Sequence, residues 1–90
     1  MGSAQTDLQA MIDFRSHLMR FNKTLDDEYH GMAGAWKSLE GVWHDEKYRQ
    51  FGDALGEVGR GIDAYLAATE DHERHLLRLI EAIDQYLQVR

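Results

Sequence analysis

Residues Trp36–Phe51, WKSLEGVWHDEKYRQF, decide the fold, because one long amphipathic pattern ends there and another begins. Counting back from Leu39 in sevens gives Met32, Leu25, Leu18 and Met11, and a second column runs Trp43, Trp36 and Tyr29. Apolar residues at alternating three- and four-residue steps occupy one stripe of an α-helix, since that spacing averages close to the helical turn. The second column meets Asn22 and Arg15, where Phe21 and Phe14 stand one position earlier, so the stripe is expected to swing sideways onto the phenylalanines. Beyond the break the count works again. Phe51, Val58, Tyr65, His72, Leu79 and Tyr86 form one column, and Tyr48, Leu55, Ile62, Thr69, Leu76 and Ile83 the other, interrupted only by Thr69 and His72. Two such columns make the seam of a coiled-coil-like packing. The expected fold is all-α, an antiparallel two-helix hairpin that dimerises into a four-helix bundle.

A chain of 90 residues is one domain, and a lone hairpin of that size buries little of the surface its unfolded chain exposes. Two helices in one layer leave each seam half covered, so the remaining apolar face is expected to meet another hairpin. No cysteine is present, which removes disulfides, thiolate metal sites and cysteine nucleophiles; no proline is present either, which favours long helices. The formal charge of -6 is dispersed along both helices, a pattern that reads as a solvated helical surface and argues against nucleic acid, whose phosphates draw on clustered Lys and Arg. No stretch approaches the ~20 apolar residues of a membrane span, and no charged-then-apolar leader is visible. The expected location is cytoplasmic, with any export by a route that does not read a signal peptide.

In chain order, Thr6 with Gln9 fits a capping box for the first helix. The opening MGSAQT matches the N-myristoylation pattern through Gly2 and Thr6, but so short a match reads better as a frayed start. Helix one is expected from about 7 to 42. Gly31 and Gly34 weaken it by up to about 1 kcal/mol each, and a break there would give three helices; the column Leu25, Met32, Leu39 passes straight through them and favours continuity. The turn falls at about 41–46, with Gly41 available for a left-handed closing residue and Asp45 as the cap of helix two. Helix two is expected from about 46 to 87. Gly52 and Gly56 lie four apart on one side of it, where they let a bulky ring such as Trp36 or Trp43 approach closely.

Candidate chemistry is sparse. His72 and His75 lie three apart on one helix face and are the alternative reading, a metal-binding bundle; the Glu-x-x-His pairs that build di-metal sites in bundles are missing, since Thr69 precedes His72 and His72 precedes His75 at that spacing. His44, Asp45 and Glu46 project in three directions at a helix start and read as a cap. Ser16 and Thr24 have no base at usable spacing. The expectation is a non-enzymatic protein with no catalytic, metal or cofactor site. A structural subunit of an open helical assembly is a further alternative. Trp36 and Trp43, seven apart on one face, suit a recognition surface at the turn end of the hairpin, because large rings anchor interfaces.

These residues resemble a known family. A tryptophan in a tight turn at the middle of a short, cysteine-free two-helix chain, here Trp43-His44-Asp45, followed eight residues on by the aromatic Phe51, is similar to the small WXG-motif proteins of type VII (ESX-type) secretion systems. The family's glycine is Asp45 in this chain, so its turn role passes to Gly41 or to a cap. The family's C-terminal tyrosine-to-acid export signal is absent, since Tyr86 is followed four residues later by Arg90. The resemblance implies a homodimeric or heterodimeric helical bundle acting in secretion as substrate, escort or adaptor, nearer to an escort of a larger helical toxin than to autonomous cargo. The partner interface it suggests comprises Trp36, Trp43, Asp45, Phe51, Leu25, Met32, Leu39, Ile62 and Tyr65.

Overall fold

A computed structural model of the protein describes residues 3–89. They form two α-helices and no strand: α1, Ala4–Lys37, and α2, Glu46–Val89. The fold is an all-α helical hairpin. The chain divides into two compact units, one combining the chain up to Phe21 with the chain from Ala67, the other comprising Asn22–Leu66 and so containing the turn. Gly2 and Arg90, on which the myristoylation and export-signal readings rest, lie outside the described residues.

The ends of α1 differ from expectation at both termini. Its cap is Ser3, three residues before Thr6: the Ser3 hydroxyl accepts from the Thr6 backbone N–H at 3.1 Å, and the Ser3 carbonyl accepts from Asp7 N at 2.9 Å. Gln9 instead donates to Asp13 at 2.9 Å, one turn along. At the other end α1 stops at Lys37 and does not run on to 42. Leu39, Glu40 and Val42 each donate to the carbonyl three residues back, at 3.1, 3.2 and 2.9 Å, which tightens the chain out of the α-helix. Gly41 does not close the helix in a left-handed conformation, as no described residue has a positive φ. Between these ends α1 is unbroken through Gly31 and Gly34. Asp45 caps α2 as expected, accepting from Tyr48 N at 3.0 Å on its carboxylate and from Arg49 N at 3.2 Å on its carbonyl.

In the turn unit the glycines of α2 are notches for rings of α1. A Cβ at Gly52 would overlap the Trp36 indole, and one at Gly59 would overlap the Tyr29 phenol. Gly52 pairs by function with Gly59, seven residues on, and not with Gly56, whose nearest neighbour is the tip of Arg60 at 3.8 Å. Each ring reaches through its notch to the α2 backbone: Tyr29 Oη donates to Leu55 O at 3.1 Å and Trp36 Nε1 to Tyr48 O at 3.3 Å. Tyr48 returns a bond from its hydroxyl to Trp36 O at 2.9 Å.

Within the turn unit these seats fix the rotation of the helices, and in neither unit is the seam the one the columns suggested. On α1 the second column stays in place: Asn22 is buried and Arg15 half-buried, while Phe14 and Phe21 remain 58% and 51% exposed. The stripe does not swing onto the phenylalanines. On α2 the column Tyr48, Leu55, Ile62, Thr69, Leu76, Ile83 faces inward as expected, with Thr69 buried. Its companion is Gly52, Gly59, Leu66, Glu73, Ile80 and Leu87, whereas Phe51, Val58, His72, Leu79 and Tyr86 are exposed.

Candidate interaction surface

The turn end is built around Tyr48. Its ring stacks on Trp36 with centroids 4.5 Å apart and planes 11° from parallel, and takes Trp43 edge-on at 5.4 Å and 67°. Burial, followed by the negative charge of Glu40, holds the Tyr48 hydroxyl above the ordinary phenol value. The two tryptophans therefore differ in role. Trp36 is half-buried and held within the hairpin, while Trp43, just before the Asp45 cap, keeps 38% of its surface exposed.

Beside this aromatic group lies an open concavity of about 450 Å³, lined by Trp36, Glu40, Glu46, Tyr48, Arg49, Gly52 and Asp53. Arg49 spans its rim, donating to Glu46 Oε2 at 3.0 Å and to His44 O at 3.2 Å. The lining offers three carboxylates, a guanidinium and two rings, with no nucleophile set against a base.

The other residues expected at an interface fall into two groups. Leu25, Ile62 and Tyr65 are half-buried; Met32, Leu39, Asp45 and Phe51 are exposed. The exposed apolar residues follow a rule that the heptad count alone did not reveal. In the turn unit Phe51 and Val58 stand three residues after the seam residues Tyr48 and Leu55. In the unit of the helix ends, Phe14 and Phe21 stand three after Met11 and Leu18, and Leu79 and Tyr86 three after Leu76 and Ile83. In an antiparallel helix pair, equal offsets from the two seam columns place side chains on the same side of the pair. Within each unit, then, these residues share one broad face, while Ile12, Met19 and Leu77, one residue after Met11, Leu18 and Leu76, are exposed on the opposite face, and Met32 and Leu39 are exposed within the seam column.

On α2 charge respects the same division, whereas on α1 the column of Phe14 and Phe21 also carries the exposed acids Asp7 and Glu28. On α2 the column Phe51, Val58, Tyr65, His72, Leu79, Tyr86, exposed except at the half-buried Tyr65, and the column three further on, Ala54, Gly61, Ala68, His75, Ala82, Val89, contain no acid, lysine or arginine. The cross-turn pairs lie elsewhere: Lys23 with Asp27 at 2.8 Å, His30 with Asp26 at 3.4 Å, Arg74 with Asp71. Asp27 raises the Lys23 ammonium by hydrogen bond and charge. A hydrogen bond to Asp26 O, then the Asp26 carboxylate, raises the His30 imidazole.

For His72 and His75, no group of three or more His, Asp or Glu among the described residues is arranged to hold a metal ion. No described helix is long and apolar enough to cross a membrane. The sequence matches no protein-family model, no curated protein and no solved structure.

Proposed function

We propose that the protein is a non-enzymatic pairing module, a WXG-like hairpin that completes its core against a second helical hairpin. The observation that carries this reading is the lack of a self-sufficient core. Among the described residues Tyr48 is the one buried apolar side chain, at 5% exposure, and no large side chain is fully buried. The accessible surface is 6965 Å² for a 10.4 kDa chain. A compact monomer of that mass exposes about 5,400 Å², so roughly 1,600 Å² remains in excess. A standard specific interface removes about 800 Å² from each partner and an obligate one roughly 1,000–2,500 Å², so an interface of obligate size accounts for the excess.

The secretion role rests on the resemblance at Trp43-His44-Asp45 and Phe51. It is supported by the position of Trp43, exposed between the end of α1 and the Asp45 cap, where a larger partner can reach it. In this role the chain is a type VII substrate, escort or adaptor that pairs with its own copy or a related hairpin on a larger protein. Denaturation at several protein concentrations tests the pairing. A module that folds on association has a midpoint that rises with concentration, whereas a midpoint that stays fixed over a hundredfold range contradicts it. Export that depends on a type VII system tests the pathway separately.

A further inference from the structure

We draw no further inference here: the strongest candidate, the open concavity at the turn end between Trp36, Glu40, Glu46, Tyr48 and Asp53, is an acidic cluster beside the start of α2, and nothing in the structure shows what ligand or partner would fill it.

Discussion

Gly52→Ala and Gly61→Ala are the same chemical change on the same helix, and the hairpin predicts opposite outcomes for them. In a helix interior alanine is favoured over glycine by about 1 kcal/mol, so both substitutions begin with that gain. At Gly61 the new Cβ meets nothing within 4 Å, and the gain stands. At Gly52 the Cβ overlaps the Trp36 indole. If the indole stays, the overlap costs about 1–3 kcal/mol, as overpacking of a filled site does. If it leaves, the chain loses the Trp36 Nε1 bond to Tyr48 O, worth about 1 kcal/mol, together with the stacking on Tyr48, worth about 0.5–1.5 kcal/mol, and the burial of the ring. Either route exceeds the propensity gain, and Gly52→Ala is expected to destabilise by about 1–2 kcal/mol net. Urea denaturation followed by circular dichroism at one fixed protein concentration measures both variants, with the slope checked for constancy. The two midpoints should move in opposite directions about wild type. A Gly52→Ala protein as stable as Gly61→Ala would refute the notch as the element that seats Trp36.

Other perturbations probe the ends and the seam. Arg15 is half-buried in the seam with its Nε lacking a hydrogen-bond partner among the described residues, so Arg15→Met is expected to raise stability by about 1 kcal/mol, or several degrees in Tm; a loss of that size would mean the guanidinium is held by a charge. Asp45→Ala removes the side-chain cap on Tyr48 N and is expected to cost about 1 kcal/mol, with Asp45→Asn retaining most of the stability; equal losses for the two would show that the cap is not the cause. His30 is expected to titrate above the ordinary imidazole value by NMR and to fall toward it in Asp26→Asn to the extent that the carboxylate contributes. Because its folded value is raised, the His30 contribution to stability is complete below about 6.5 and is lost as pH rises through the raised value. A His30 midpoint below 6.5 would contradict the contact with Asp26.

The hairpin itself was legible because heptad columns survive on both sides of Trp36–Phe51 and no proline interrupts them. The Asp45 cap and the Gly52 seat for a tryptophan followed from residue type and spacing. The orientation of the helices about their own axes did not. On α1, Met11 and Leu18 have an apolar column on one side, Phe14 and Phe21, and a polar one on the other, Arg15 and Asn22. Hydrophobicity alone favours the phenylalanines. The seating of Tyr29 and Trp36 against Gly59 and Gly52 decides for the column that contains Asn22, a tertiary fact that no period encodes. The same rotation turns Phe51 and Val58 outward on α2. The end of α1 was missed for a local reason. Leu39 and Trp43 keep the heptad count going past Lys37, while the backbone has already tightened into turns. Large apolar residues left outside a seam that accepts Arg15, Asn22 and Glu73 are informative about function, because they are surface that the hairpin does not cover for itself.

The central claim is that a second hairpin completes the core of this one. The most direct test is the native mass of the purified chain at pH 7.5 across a dilution series, by light scattering coupled to size exclusion. The account predicts twice the chain mass of 10.4 kDa at the higher concentrations, falling toward one chain with loss of helicity on dilution. A fully helical monomer, unchanged in mass and helicity over the whole series, would contradict it.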